Sequence, residues 1–372
     1  MNEDKATRYH RLRRRASILG TALSAGLLVL LLVSGASARL RDAIVSLTGD
    51  SFVPTITVYV CLLAVISEAL HLPIDYYQGV TLERRYGLST QTSARWWFDH
   101  LKVGGIGLGF GLLGALLVWS LLRWAPDRWW LMSAISFSAV LVLLAQLAPV
   151  VLLPIFYEFK PLQREDLVRR LVTLADRAGA RVLGVFEWRM SDRTRKANAA
   201  LAGIGRTRRI LLSDTLLADH SDEEIEVILA HELAHHVHHD IWAGLAVETG
   251  LIFLGLYLAD QVVAWLGGSF GLAGKADIAA LPLLLLVVGA VSVVLMPLLH
   301  AISRAHERRA DRYALEMTNN APAFVSAMKR LGAQNLADEY PSRLVEILFY
   351  SHPPIADRIA AARAWAGAPG VR

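Results

Sequence analysis

Six runs of apolar residues, each long enough to cross a lipid bilayer, constrain the fold of this chain more than any other feature of its sequence. A helix needs about 20 mostly apolar residues to span the hydrocarbon core. A helix also satisfies its own backbone hydrogen bonds, which lipid cannot do. Hydrophobic residues make up 54% of the 372 positions, compared with roughly 45–50% in soluble domains. We therefore expect six transmembrane helices, at about residues 16–36, 54–73, 102–122, 130–153, 243–266 and 280–300.

The charges of the connecting loops predict the orientation of these helices. If six spans alternate, one side carries most of the basic residues, namely Arg11–Arg15, Arg84, Arg85, Arg95, Lys102 and the stretch from Lys160 to Arg209. Since cytoplasmic loops carry the excess of Lys and Arg, both termini and residues 155–241 are predicted to be cytoplasmic, in a bacterial inner membrane. The same rule accounts for the net charge of +5, so we expect no nucleic-acid partner.

Two local patterns near the spans have competing interpretations. The basic stretch Lys5–Arg15 followed by an apolar run resembles a signal peptide, but the cleavage candidate at Ala36–Ala38 is weak, so we expect a retained first span. The glycine-rich segment Gly104–Gly111 resembles a phosphate loop, but no strand precedes it and no Lys-Ser/Thr pair follows. We expect these glycines to let neighbouring helices approach closely.

A polar insert at residues 155–241 predicts a water-exposed domain between the fourth and fifth spans. Ser221 followed by three acids is typical of a helix start. The expected elements are helices at 165–177, 214–219 and 222–239, strands at 181–188 and 208–212, an edge strand within 193–200, and further helices at 301–319, 321–333 and 353–366. The chain would divide into an N-terminal membrane domain (1–154), the insert (155–241), two further spans (242–300) and a C-terminal part (301–372) that joins the insert.

The segment HELAH at residues 231–235 carries the chemistry that the insert suggests. Two histidines four apart lie on one face of a helix, where their nitrogens can both bind one Zn²⁺ at about 2.0–2.1 Å. Glu232 could then take a proton from zinc-bound water, whose pKa the metal lowers towards about 7. The single cysteine, Cys61, excludes a thiolate zinc cage. The next histidines are expected to form a solvated helix end: His236, His238 and His239.

A third protein ligand is expected, because catalytic zinc usually has three ligands and a water molecule. Glu307 and Asp311 lie one helical turn apart just after the sixth span. Glu307 could bind zinc while Asp311 holds a ligand histidine through a hydrogen bond. The alternative is a charged helix face on which Glu307 pairs with Arg304 or Arg308. The spacing of these residues alone does not distinguish the metal ligand from the ion pair.

His352 and Arg358 form a further candidate pair near the C-terminus. His352 precedes two prolines that can start a helix, and Arg358 lies on that helix. A hydrogen-bonding or positive pair could stabilise the oxyanion of a tetrahedral intermediate or hold a substrate carboxylate. The alternative is a surface turn followed by a helix start.

Taken in order, these motifs resemble the type I CAAX prenyl proteases, the polytopic members of metallopeptidase family 48. The blocks that carry the resemblance run through most of residues 55–362: Pro73-Ile74-Asp75, Tyr86–Ser89 with Gln91-Thr92, Pro154-Ile155-Phe156, Phe159–Leu162, Asn198-Ala199, Arg209–Leu212 with Asp214-Thr215-Leu216, HELAH, Ser303-Arg304 with Glu307 and Ala310-Asp311, and Ser351–Pro354 with Arg358.

The resemblance implies a fold and a role for each matching residue. It implies about six spans around a chamber, with a zincin-type α+β domain that closes it on the cytoplasmic side. Glu307 becomes the third ligand of one Zn²⁺ per chain, and Asp311 orients a histidine. Asn198, with Ala199, would lie on a strand that pairs with the substrate backbone. His352 and Arg358 would lie near the substrate or the oxyanion.

The chain departs from the eukaryotic members of that family at three places. It has neither their additional N-terminal span nor their long insert before HExxH. At position 240, where they tend to have a histidine, this chain has Asp240, so that histidine cannot be essential for zinc binding. The composition looks bacterial, and most bacteria are not known for CAAX prenylation.

The sequence therefore predicts a membrane-embedded zinc endopeptidase that acts on membrane-associated polypeptides, prenylated or misfolded, with the bilayer as its other partner. One alternative is a protease of the heat-shock type that removes misfolded membrane proteins. A second is a six-span transporter or channel with a fortuitous HExxH. A third is an intramembrane protease of the site-2 type, although the acids and histidines around the motif indicate contact with water. The oligomeric state is left open.

Overall fold

Helices make up most of the structure, a computed structural model that describes residues 4–49, 51–203 and 208–368. In chain order the helices are α1 (Lys5–Val33), α2 (Ala36–Thr48), α3 (Phe52–Tyr76), α4 (Glu83–Arg85), α5 (Ser93–Trp124), α6 (Trp129–Leu147), α7 (Leu153–Phe156), α8 (Glu165–Arg177), α9 (Asp214–Asp219), α10 (Asp222–Val237), α11 (Asp240–Leu266), α12 (Leu281–Thr318), α13 (Ala321–Gln334), α14 (Arg343–Phe349) and α15 (Ile355–Ala366).

Six helical segments of the described chain are long and apolar enough to cross a membrane, which confirms the predicted number. Two of them continue through a wider turn: α3 passes through the π-helical segment Tyr77–Leu82 into α4, and α6 passes through Ala148–Leu152 into α7. The helices extend beyond the predicted apolar runs, because polar residues at the membrane surface continue the same hydrogen-bonded backbone. The short helix α2, which the sequence analysis missed, lies between the first two spans.

The sixth span and the helix predicted at 301–319 are one helix. Helix α12 is continuous over 38 residues, about 57 Å at about 1.5 Å per residue. A hydrocarbon core about 30 Å thick leaves several turns outside the membrane, and these turns carry Glu307 and Asp311. Pro297 lies inside the helix without ending it. The same helix therefore spans the bilayer and reaches into the polar domain.

In the described chain, the polar domain contains a sheet of four strands: β1 (Phe159–Pro161), β2 (Val185–Trp188), β3 (Ala199–Ala202) and β4 (Arg209–Ser213). Their order in the sheet is β1-β2-β4-β3. Strand β2 pairs with β4 in parallel, and the two outer strands pair antiparallel with their neighbours. The predicted strands were in part correct. Strand β2 begins four residues later than the predicted strand 181–188 and ends with it, and β4 is shifted by one residue from the predicted strand 208–212. The predicted edge strand begins later, at Ala199, and β1 was missed.

The core of this domain surrounds helix α10. The apolar face of α8, strand β3 and helices α12 and α13 all contact it. Ser221 caps its N-terminus, as the sequence indicated, and forms a capping box with Glu224. Because α10 is enclosed on several sides, its position in the domain is fixed, and so are the side chains that it carries.

The glycine-rich part of α5 does not bring helices together, contrary to our expectation. A Cβ atom added at Gly104, Gly107 or Gly111 would meet no atom within 4 Å. Only farther along does a glycine of this helix touch a neighbour, where Gly114 lies against Phe137. Gly111 and Gly114 instead line a cavity of about 720 Å³ between the spans. The cavity wall is mostly apolar, with Ser24 and Ser67 as its polar side chains.

The ends of the spans farthest from the sheet are joined by buried polar contacts. Asp260 accepts hydrogen bonds from Trp129 Nε1 and Lys275 Nζ, both at 2.6 Å. Ser37 of α2 donates to the carbonyl of Ala279 at 2.7 Å. These contacts pair groups that would be costly to leave alone at this depth, so they close that end of the helical bundle.

Candidate metal centre

Helix α10 presents the two predicted ligand histidines on its buried face. His231 is buried and His235 is half-buried, and their rings lie edge to face with centroids 5.1 Å apart. Glu232 follows His231 directly and is itself half-buried. One helix thus supplies two nitrogen donors and a carboxylate, as the spacing in HELAH predicted.

Helix α12 brings the carboxylate of Glu307 to the same point. Glu307 Oε2 lies 3.3 Å from His231 Nε2, and Oε1 lies 3.5 Å from His235 Nε2. Donor atoms about 2.0–2.1 Å from a tetrahedral zinc ion are roughly 3.3 Å apart. Among the described residues, these three side chains are the group whose ligand atoms converge within 4.8 Å of one another.

The hydrogen bonding of the Glu307 carboxylate is consistent with a role as a metal ligand. Its Oε2 atom is buried and receives no hydrogen bond of acceptable geometry from the described chain, although His352 Nδ1 lies 2.9 Å away. A buried carboxylate oxygen without a donor is costly, and a metal ion would satisfy it. Glu307 forms no pair with Arg304 or Arg308 in the described chain, so the alternative of a charged helix face is not what the structure has.

Asp311 lies behind His231. Its Oδ1 is 2.9 Å from His231 Nδ1, so the ring presents Nε2 to the candidate metal position. Arg358 donates to both oxygens of Asp311, from Nε at 2.8 Å and from Nη2 at 2.5 Å. The Arg358 side chain is only 12% exposed. Its closest described partner is therefore Asp311, whereas the sequence analysis expected it beside the substrate or the oxyanion.

His352 lies on the open side of the site. Its side chain is 62% exposed, next to Glu307. The segment before it is held by Arg304, which is buried and donates to the carbonyls of Glu346 and Tyr350 at 3.0 and 2.6 Å. The sequence analysis gave Arg304 no such role, because its partners are backbone atoms about 40 residues away.

Asp240 was also missed as part of the site. Its Oδ2 lies 2.9 Å from His235 Nδ1, and the carboxylate is buried. The sequence showed Asp240 only as a departure from a family pattern. The signal that could have identified it is the placement of an acid five residues after a ligand histidine, at a point where the chain turns.

Asn198 immediately precedes the edge strand β3. Its backbone N–H donates to the hydroxyl of Ser213, the last residue of β4, and its carbonyl accepts from the backbone N–H of Ser213, at 2.9 Å each. The Asn198 side chain is exposed. Strand β3 contacts α10 on one side of the domain, and Ala199 is its first residue. Within the described residues β4 is its one strand partner, so the backbone groups on its other edge are available.

Burial and neighbouring charges shift the pKa values of His231 and Glu232 on α10. Burial alone lowers the pKa of His231, but the carboxylates of Asp311 and Glu307 beside its ring outweigh it and raise that pKa to about 9. Burial raises the pKa of Glu232, although His231 and His235 oppose the shift. A carboxylate with a raised pKa accepts a proton more readily than an exposed one.

The other histidines near the motif are not in the group of ligand atoms. His238 Nδ1 contacts the carbonyl of Ala234 at 2.9 Å, and His239 Nδ1 contacts the carbonyl of Val237 at 3.0 Å. The ring of His238 packs edge to face on Tyr313. These contacts agree with the expected helix end.

Two family profiles match consecutive parts of the chain. Residues 161–366 match "Peptidase family M48", and residues 2–158 match "CAAX prenyl protease N-terminal, five membrane helices". Helices α1, α3, α5 and α6 are the long apolar helices in the second range, and α2 is a further, shorter one. The two matches meet where the membrane helices give way to the sheet.

Curated relatives and a solved structure are similar over most of the chain. "Uncharacterized metalloprotease YhfN" of Bacillus subtilis is 33% identical over 98% of this chain and 86% of its own length. "CAAX prenyl protease 1" of Saccharomyces cerevisiae is 28% identical over 81% of this chain and 70% of its own. The crystal structure of S. mikatae Ste24p superposes with a TM-score of 0.86, at 24% identity, over 96% of this chain and 88% of that one. The resemblance predicted from the ordered motifs is confirmed, and so is the polytopic helical fold with a catalytic domain.

Proposed function

The chain belongs to peptidase family M48, and from that premise we propose that it is a zinc endopeptidase that cleaves membrane-associated polypeptides. Its zinc ion would be bound by His231, His235 and Glu307. The observation that carries the proposal is the convergence of two imidazole nitrogens and one carboxylate from α10 and α12 at the separations that tetrahedral zinc requires. Nitrogen and oxygen donors of this kind suit zinc. Family membership removes the transporter alternative and the idea of a fortuitous motif.

Each residue of the site has a proposed task in the hydrolysis. When bound, zinc polarises the peptide carbonyl and makes a water molecule more acidic. Glu232 takes the proton from the attacking water and passes it to the leaving amine. His352, exposed beside Glu307, donates a hydrogen bond to the developing oxyanion. Peptide bond cleavage thus needs no covalent intermediate with the protein.

Arg358 has a different proposed task from the one that the sequence suggested. Since its guanidinium group binds both oxygens of Asp311, it orients Asp311, and Asp311 in turn orients His231. A bidentate pair of this kind fixes both position and direction. Arg358 therefore acts on the metal ligands, and His352 remains the group that faces the substrate.

The metal content gives the direct test. Protein purified in detergent should contain about one zinc ion per chain, and a chelator should abolish its cleavage of a peptide, with activity restored by zinc. Glu165→Gln, a change at an exposed position at the start of α8 and away from the ligand group, should alter neither quantity. An active enzyme that holds no metal would contradict the proposal.

The substrate class divides into two candidates that the same assay separates. A farnesylated C-terminal peptide, the identical peptide without its lipid, and an unfolded membrane protein are compared as substrates. The apolar cavity between the spans could hold a lipid chain or an apolar segment. Preference for the farnesylated peptide supports a prenyl protease, and preference for the unfolded protein supports a quality-control protease of the heat-shock type.

The edge of β3 is the proposed binding place for the substrate backbone. An extended peptide can add to an open strand edge through main-chain hydrogen bonds, and this edge contacts the helix that carries the ligands. Asn198 lies at its start, with its side chain exposed. We propose that Asn198 and Ala199 contact the substrate there.

Asn198→Ala should raise KM about 2–10-fold with little change in kcat, because one hydrogen bond of about 0.5–1.5 kcal/mol is lost from ground state and transition state alike. Steady-state kinetics on a peptide substrate measure both constants. Arg195→Ala, at an exposed position just before the strand, serves as the control. An unchanged KM in the Asn198 variant would remove this residue from the binding site.

The proposed orientation places both termini and the metal site in the cytoplasm. It rests on the distribution of Lys and Arg in the loops. In a Cys61→Ser background, a cysteine at exposed Asp127 should react with a membrane-impermeant thiol reagent added to spheroplasts, and one at exposed Glu339 should not. The reverse pattern of labelling would invert the topology.

A further inference from the structure

Asp240 occupies the turn that joins the ligand helix to the fifth span. Helix α10 ends at Val237 and α11 begins at Asp240. Between them His239 adopts a left-handed conformation with φ of 60°, uncommon for a residue with a side chain. With this two-residue turn between the helices, Asp240 lies beside His235 although the two are five apart in sequence.

The buried carboxylate of Asp240 makes contacts with two helices. Its Oδ2 is 2.9 Å from His235 Nδ1 on α10. Its Oδ1 binds Arg309 of α12 and lies 3.7 Å from His306 Nδ1. An ionised carboxylate only accepts hydrogen bonds, so His235 Nδ1 must carry a proton that it donates. The lone pair of His235 is then on Nε2, the atom that lies 3.5 Å from Glu307.

We propose that Asp240 is a positioning residue for the metal, which fixes the tautomer and ring orientation of His235. The inference rests on the proposed zinc function and adds to it a residue that neither the motif nor the resemblance assigned. Asp240 does for His235 what Asp311 does for His231, so each ligand imidazole is held by its own carboxylate. Partners of this kind raise the basicity of a ligand histidine and fix its direction.

Asp240 could instead have a purely structural role, through its ion pair with Arg309, which joins α11 to α12. The two roles can be separated because they use different oxygens of the carboxylate. Asp240→Asn removes the charge that holds His235, whereas Arg309→Gln removes the ion pair and leaves the carboxylate beside the imidazole. Arg309 is 45% exposed, so its replacement leaves no buried unpaired cation.

The test measures metal affinity in the full-length protein, by competition for zinc with a chromophoric chelator. Asp240→Asn should weaken zinc binding about 10–100-fold, and Arg309→Gln should leave it within about threefold of the wild type. The visible absorption of Co²⁺ bound in place of zinc reports ligand geometry, and it should change in the Asp240 variant alone. Asp240→Glu keeps the carboxylate and should recover most of the zinc affinity. It replaces Asp240→Asn in the measurement if the asparagine variant does not fold.

Two results would overturn the inference. An Asp240→Asn protein with wild-type zinc affinity and Co²⁺ spectrum would show that His235 needs no such partner. Equal losses in Asp240→Asn and Arg309→Gln would assign the effect to the ion pair. Failure of the proposed function looks different, since the wild-type chain itself would then bind no zinc.

Discussion

Glu232→Gln should lower kcat about 10²–10⁴-fold, the range that a positioned general base contributes, while the protein keeps its metal. Glutamine has nearly the same shape as glutamate but cannot accept the proton of the attacking water. His231, His235 and Glu307 are untouched, so the zinc content should stay at about one per chain. Metal analysis and peptide cleavage on the same preparation measure the two quantities together.

Glu223→Gln is the matched control, because Glu223 is an exposed carboxylate on the same helix, distant from the ligands. It should leave both zinc content and kcat unchanged. If Glu232→Gln cleaved the peptide at the wild-type rate, another group would have to take the proton. If it lost its metal as well, the fall in activity would say nothing about a base.

Glu307→Gln should remove the stabilisation that zinc gives to the whole protein. A ligand that binds the folded state at a thousand times its Kd stabilises it by about 4 kcal/mol, which corresponds to a rise in Tm on the order of 5 °C for a chain of this size. Zinc added to the metal-free wild type should produce this rise. In Glu307→Gln, where one of the three ligands is a neutral amide, the rise should be largely lost.

Glu316→Gln gives the comparison for this second prediction, since Glu316 is an exposed carboxylate two turns farther along α12. It should respond to zinc as the wild type does. Thermal unfolding followed in detergent, with and without zinc, measures all three proteins. A full response to zinc in Glu307→Gln would exclude Glu307 from the ligands.

The sequence predicted the parts of the site that follow from local periodicity. The spacing of His231 and His235 places both on one helical face in any helix, and the apolar runs are unambiguous by length. The role of Glu307 was harder, because a carboxylate near two arginines on a helix has an equally simple structural explanation. The resemblance to a family favoured the metal, and the convergence of the donor atoms agrees with it.

Other contacts could not be read from local patterns. The contact of Asp240 with His235 depends on a left-handed residue, His239, that no glycine marks. The hydrogen bond from Arg304 to the carbonyl of Tyr350 depends on tertiary packing. The glycines of α5 were wrongly assigned to helix contacts, because small residues allow close approach but also leave space beside a cavity. A sequence does not distinguish these two uses.

The continuity of α12 has a consequence for how the protein is made. His235 and Glu307 are 72 positions apart in the sequence, and the second of them leaves the ribosome only after both final spans have been synthesised. A copy that is still being inserted, or that stops short of the last helix, has two of the three proposed ligands and no complete centre. If these residues bind the metal as proposed, we expect proteolytic activity only after membrane insertion is essentially finished, so that the nascent enzyme would not digest its neighbours at the site of synthesis.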